Sequence, residues 1–320
     1  MTTDSSSSSA ERAPRATLAT LRIGVVGDLH MHWAEADVRW FARSAYDLLL
    51  FVGDLASYLR DGRAVARSLA RLPMPTLVMP GNHDGVSLPQ LLAEALCHEA
   101  WSHRLGGGQV RRCRALERAL GPVPCVGYSL HRFASQSLAL AVVAGRPHSM
   151  GGPRLSFRRY LAERFGVSSL DQSARRLESL VDQCDGEAIL FLAHNGPTGL
   201  GAGAADIWGC DFRAAEGDFG DPDLRRAVDY AKQQGKRVIA VVAGHMHHQL
   251  RGGGQRRWLI QQDGLCYVNA ARVPRLSRRG GRLRRHHVLL RWDGQRVQVD
   301  EVWAKVAAPP GQPVDNPASW

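Results

Sequence analysis

Residues 47–85 read DLLLFVGDLASYLRDGRAVARSLARLPMPTLVMPGNHDG, and their order decides the fold. Two apolar runs, Asp47 to Gly53 and Thr76 to Gly81, flank a helical pattern over Gly62 to Leu72. Continuous apolar runs of this length are strands buried on both faces, and a helix between two of them makes a right-handed parallel crossover. Each run ends in a glycine and then residues of metal-binding type, Gly53-Asp54 and Gly81-Asn82-His83-Asp84. In an open parallel sheet, ligands gather outside the carboxyl ends of the strands, where these residues fall.

The same arrangement repeats outward in both directions. Upstream, the run Leu21 to Gly27 ends in Gly27-Asp28-Leu29-His30 and leads into a helical pattern over Trp33 to Ser44. Asp28 and His30 are two apart on an extended segment, so they point to one side and can grip one ion. Downstream, Ala188 to Ala193 leads to His194-Asn195-Gly196-Pro197, and Val238 to Gly244 to Gly244-His245-Met246-His247. Carboxylates, an amide oxygen and neutral imidazoles together suit a divalent metal of intermediate hardness. Further helices are expected over Leu88 to His103, Ser168 to Cys184 and Asp223 to Gln234. Short strands are expected over Trp258 to Gln262, Leu265 to Asn269, His287 to Trp292 and Val297 to Trp303, with a hairpin turn at Asp293-Gly294 and an antiparallel or mixed sheet closing the chain.

The chain has 320 residues, 44% hydrophobic and 22% charged, enough for a large core. No apolar run approaches the roughly 18 to 20 residues of a membrane span. The six cysteines (97, 113, 125, 184, 210, 266) form no Cys-x-x-Cys pair, which fits a reducing cytoplasm and no disulfide scaffold. Residues 1–20, with the run Ser5 to Ser9, read as a disordered tail without a secretory h-region, 21–305 as one domain, and 306–320 as a flexible proline-rich tail. The net charge of +11 is an arginine excess, 38 against three lysines (232, 236, 305). Twelve of these arginines fall between His248 and Arg296.

The ordered blocks D-x-H, G-D, G-N-H-D, H and G-H-x-H resemble those of the calcineurin-like metallophosphoesterases, over roughly Leu21 to Trp303. Loops at Gly145-Arg146-Pro147, Asn195 to Gly201 and Gly217 to Pro222 are further similar to a branch of that family from photosynthetic organisms. The resemblance implies an α/β fold, an αββα sandwich of two mixed sheets flanked by helices, and a pair of divalent ions, manganese, iron or zinc. Carried over by position, Asp28, His30 and His247 hold one ion, Asn82, His194 and His245 the other, and Asp54 bridges them. The activity implied is hydrolysis of a phosphate mono- or diester by in-line attack of a metal-bridging hydroxide. His83, one residue beyond Asn82, faces differently from it, and the resemblance gives it the leaving group. Asp84 either orients His83 or caps the turn.

Gly53-Asp54-Leu55-Ala56-Ser57 departs from the G-D-x-V-D-R-G of the Ser/Thr protein phosphatases, which turns the expectation toward phosphorylated small molecules or phosphodiesters. Arg146, His148, Asn195 and Asp218 are candidates to shape the substrate pocket, against turn and cap roles. Gly199 to Ala204 resembles a dinucleotide loop but lacks the helix and acidic residue that such a site needs. Two other functions stay open: a nuclease whose arginine-rich stretch tracks nucleic acid, and a metal-stabilised interaction scaffold without turnover. Oligomeric state is not legible.

Overall fold

The computed structural model describes residues 20–305 other than 136, 263, 280 and 281. Apart from Thr20, both expected tails lie outside the described residues. β1 (Leu21–Val26), α1 (Glu35–Ala42), β2 (Leu48–Phe51), α2 (Arg63–Leu69) and β3 (Thr76–Val78) form the expected βαβαβ unit, with β1, β2 and β3 parallel. The helix expected over Leu88 to His103 is two, α3 (Leu88–Ala95) and α4 (Glu99–Gly106). Cys97 breaks it with a left-handed φ of 58°, and the His98 side chain accepts the Trp101 N–H to start the second helix. There follow α5 (Gln109–Leu120), the hairpin β4 (Ser129–Ser135) and β5 (Leu138–Ala144), and α6 (Arg158–Phe165), none of which the sequence pattern had marked.

The remaining elements are α7 (Leu170–Asp182), β6 (Ala188–Leu192), α8 (Pro222–Gln233), β7 (Val238–Ala243), β8 (Leu259–Gln262), β9 (Leu265–Asn269), β10 (Leu276–Arg279), β11 (Arg282–Trp292) and β12 (Val297–Lys305). The C-terminal strands do not close the chain as a sheet of their own. β9 adds parallel to β7, giving a sheet ordered β4-β5-β6-β7-β9-β8, whereas β11 lies antiparallel against β1, giving β10-β11-β1-β2-β3 with β12 on β11. Both sheets are therefore mixed. The Asp293-Gly294 turn forms, its carboxylate accepting the Gln295 and Arg296 N–H groups.

Alternation along the strands builds four layers. Ile23, Val25, Leu50, Val52 and Leu77 face Leu140, Val142, Leu190 and Val242 across the gap between the sheets. On the outer face of the first sheet, Leu49, Phe51 and Val78 pack on Phe41, Leu69 and Leu116 of the helices. On the outer face of the second, Val143, Phe191 and Val241 pack on Leu161, Leu177 and Val228. This is the αββα sandwich expected, and period-2 alternation is what gives each strand two apolar neighbours.

The two sheets come into close backbone contact at their carboxyl edges. A Cβ on Gly27, just past β1, would lie 1.8 Å from the Ala270 carbonyl oxygen just past β9. Gly27→Ala is expected to lower the unfolding free energy by about 3 kcal/mol or more by overpacking backbone against backbone. Urea denaturation checks this, and an unchanged midpoint would contradict it.

Candidate metal centre

Every block found in the sequence lies at this edge. Asp28 and His30 follow β1, Asp54 follows β2, Asn82 and His83 follow β3, His194 follows β6, and His245 and His247 follow β7. Three of these residues hold left-handed backbone without being glycine, His30 at φ 39°, Asp54 at 49° and His245 at 68°. Strain of this kind persists only where the surroundings over-determine it, and it clusters at functional sites. Gly81 shows the crowding: a Cβ there would sit 2.1 Å from Asp54 Oδ1.

Asp54 is the centre of the cluster. Its Oδ2 lies 3.6 Å from His30 Nε2, 3.7 Å from His194 Nε2 and 3.9 Å from His83 Nε2, while Oδ1 accepts the His83 backbone N–H at 2.9 Å. Burial opposes its ionisation, but His83, His194 and His30 outweigh that and hold its pKa well below the carboxylate range. Asp28 accepts the His245 N–H and stands 3.6 Å from His247 Nε2. Its pKa is also lowered, burial being outweighed by His247 and His194. The donor atoms of Asp28, His30 and His247 lie within 4.8 Å of one another, as do those of His30, Asp54 and His83. His83 is thus brought beside Asp54, closer to the ligands than its sequence position suggested.

Three imidazoles are aimed by their second nitrogens. His30 Nδ1 donates to the Ala56 carbonyl (3.2 Å), His194 Nδ1 to Val52 (2.7 Å) and His245 Nε2 to Met150 (3.0 Å). A carbonyl can only accept, so each ring carries its proton there and, when neutral, turns a lone pair inward. His194 Nε2 and His245 Nδ1 then face Asn82 Oδ1 at 2.9 and 3.0 Å, and His30 Nε2 faces His247 Nε2 at 3.3 Å. A lone pair turned to Asn82 Oδ1 in this way is favourable only with a proton or a metal ion between the two atoms, while at the His30–His247 contact the His247 ring can supply the proton. Burial opposes a charged His194, but Asp54 and Asp28 raise its pKa above the ordinary value. The nitrogen, carboxylate and amide donors and their carbonyl anchors fit a divalent ion of the zinc, manganese or iron kind.

The other candidates are placed elsewhere. Asp84 does not meet His83 among the described hydrogen bonds. Its carboxylate accepts the N–H groups of Leu55 (3.2 Å), Ala56 (3.0 Å) and Gly81 (2.9 Å), the capping role, and burial with the Asp54 charge pushes its pKa up to about 7. Arg146 is buried in a bidentate pair with Asp223 and a bond to Asp221. Asn195 donates to the Phe219 carbonyl and Asp221, and His148 donates to the Gly81 carbonyl at 2.8 Å. These three brace the edge instead of shaping the pocket; they read as pocket candidates because their acidic and carbonyl partners are distant in sequence. Asp218 caps its own turn, accepting from Thr198, Gly199 and Gly220.

The arginine-rich stretch also divides. Arg275 and Arg285 share buried Asp37, Arg291 pairs with Asp300, and Arg256 is held by the carbonyls of His247, Ala204, Asp206 and Gly209. A cleft of about 1820 Å³ opens from Asp54, Asn82 and His83 between α3, α4 and α6, with Phe212 and Arg251 also in its wall. Tyr58 lines it too, its ring edge-to-face on His83 at 4.5 Å. Sequence reasoning passed over Tyr58, whose only signal is an aromatic four residues beyond Asp54.

Facing mixed sheets with buried carboxylates, an amide and inward-turned imidazoles at their shared edge define a metal-dependent hydrolase site. The profile of the calcineurin-like phosphoesterase family matches residues 21–249. The chain belongs to that family and is a metal-dependent phosphoric ester hydrolase. Among curated protein sequences none matches it. One solved crystal structure superposes with a TM-score of 0.51 at 10% identity, over 88% of this chain and 99% of its own, a likeness of fold alone. TT1561 of Thermus thermophilus is similar at 0.49 and 12% identity, over 88% and 99% of the two chains. The phosphopantetheinyl hydrolase PptH of Mycobacterium tuberculosis is similar at 0.45 and 14%, over 80% and 91%.

Asp84→Ala leaves three buried N–H groups without an acceptor. It is expected to cost about 3 kcal/mol of stability and to weaken zinc binding by about tenfold or more through the loosened turns. Chemical denaturation and calorimetric zinc titration check this; unchanged values would contradict it.

Proposed function

We propose that the chain is a dinuclear phosphoesterase acting on a phosphate mono- or diester with a bulky organic group. The observation that supports this reading is the gathering of those carboxylate, amide and imidazole donors in two adjoining groups, which two divalent ions would neutralise. Asp28, His30 and His247 would hold one ion, Asn82, His194 and His245 the other, and Asp54 would lie between them. Two divalent ions there supply Lewis acidity and a water acidic enough to attack phosphorus in line. Manganese, iron and zinc all suit the donor set.

The remaining parts fall to the protein. Buried Asp28, Asn82 and His194 form the inner side of the site, while His247, 41% exposed at its side chain, marks the open side. His83 lines the cleft beside Asp54 and serves the departing oxygen as proton donor. The cleft exceeds the roughly 300–1000 Å³ of small-molecule pockets, which supports a large leaving group. Arg158 makes no ion pair among the described residues and, with Arg251, draws anions toward the cleft. A nuclease tracking nucleic acid along the C-terminal arginines has less support, since many of them are paired internally. A scaffold without turnover has no observation in its favour.

We place the phosphoesterase domain at 21–305 and the protein in the cytoplasm. All six cysteines are free thiols, in accord with a reducing compartment, and no helix among the described residues is long and apolar enough to cross a membrane. Asp54→Asn is expected to remove metal-dependent hydrolysis of bis-p-nitrophenyl and p-nitrophenyl phosphate. His83→Ala should lower kcat by about 10²- to 10⁴-fold, with unchanged circular dichroism in both. Full turnover in both variants would overturn the reading.

A further inference from the structure

The His83 ring is packed largely against other rings. Its backbone N–H is fixed on Asp54, but its Nδ1 is buried and has no hydrogen-bond partner among the described residues. Histidines that move protons are ordinarily aimed through that second nitrogen, as His30, His194 and His245 are here. The adjacent carboxylate of Asp84 is occupied by three backbone N–H groups. Besides Asp54 Oδ2, 3.9 Å from Nε2, the His83 ring meets His30, edge-to-face at 5.0 Å and 90°, and Tyr58, edge-to-face at 4.5 Å and 79°.

Tyr58 is not in this place to fill a core. It is 64% exposed and lies in the cleft wall beside Asp54, Asn82 and His83. Its loop is tied to the His83 turn by Asp84, which holds the N–H groups of Leu55 and Ala56 on one side and of Gly81 on the other. A tight turn, Ser57 N–H to the Arg60 carbonyl at 3.0 Å, then presents the ring. Edge-to-face contact restricts the tilt of a ring without needing a hydrogen bond.

We propose that Tyr58 is the positioning residue of His83: its ring, through the Asp84-clamped loop, holds the His83 imidazole toward the leaving group. This rests on the phosphoesterase reading above. The ring and not the hydroxyl carries the effect, so Tyr58→Phe restores what Tyr58→Leu loses.

The test compares phenyl with p-nitrophenyl phosphate esters in the manganese-loaded protein. Phenoxide is the poorer leaving group and gains more from a donated proton, while both rings are alike in any stacking. Tyr58→Leu is expected to lower kcat for the phenyl ester by about tenfold or more, within the range of general acid catalysis. KM and the p-nitrophenyl rate should change little, Tyr58→Phe should recover most of the loss, and Tyr58→Leu should add nothing in a His83→Ala background. Equal losses on both esters, or a further loss without His83, would overturn the proposal and make Tyr58 a substrate contact. A second readout is independent of turnover: in the zinc-loaded, ¹⁵N-histidine-labelled protein, Tyr58→Leu should move the His83 ring resonances and Tyr58→Phe should not. Unmoved resonances would overturn the positioning role. A wild-type protein inert toward both esters would instead count against the phosphoesterase reading, even if those resonances move.

Discussion

The structure is organised around electron-rich atoms placed at contact distance from one another. Asn82 Oδ1 meets nitrogens of His194 and His245, His30 Nε2 meets His247 Nε2, and Asp54 Oδ2 stands near three imidazoles. Burying carboxylates in such a cluster is costly, a cost that the neighbouring imidazoles offset in part. It is held by constraints outside the cluster: carbonyls that fix the second nitrogens, Asp84 tying two turns together, and backbone at His30, Asp54 and His245 forced into left-handed conformation. Constraints of this kind fix the donor atoms through the backbone and the sheets, which is the preorganisation that electrostatic catalysis needs.

The sandwich supplies that rigidity. Two mixed sheets bury alternate residues against each other, and their parallel strands bring three ligand segments from one sheet and two from the other to a shared edge. Behind that edge, Arg146 joins Asp221 and Asp223, and His148 holds the Gly81 carbonyl, so the turn carrying Asn82 is supported from the second sheet. Removing such a buried partner leaves an uncompensated charge, so these residues belong to the stability of the site and not to its surface.

Much of this was legible in the sequence because strand ends and ligands coincide there. The βαβαβ unit, β6, β7 and the order of the blocks follow from apolar runs that stop at Gly-Asp, Gly-Asn-His and Gly-His. What was not legible depends on tertiary contact. β4, Ser129 to Ser135, is a half-exposed strand paired, among the described residues, with β5 alone, so it shows little apolar pattern. The amphipathic spacing of Cys113, Leu116 and Leu120 was present but dispersed among arginines. The break at Cys97 carries no glycine or proline. Arg146 read as a candidate pocket residue because Asp221 and Asp223 are far away in the chain, and Asp84 resembled a partner of His83 because adjacency in sequence says nothing of where a carboxylate points.

The central claim is that two cations occupy this edge with Asp54 between them. Anomalous diffraction from crystals of the manganese-loaded protein tests it most directly. The account predicts two peaks, one bounded by Asp28, His30 and His247 and the other by Asn82, His194 and His245, with Asp54 coordinating both. A single peak, or one bounded by His30, Asp54 and His83, would contradict it.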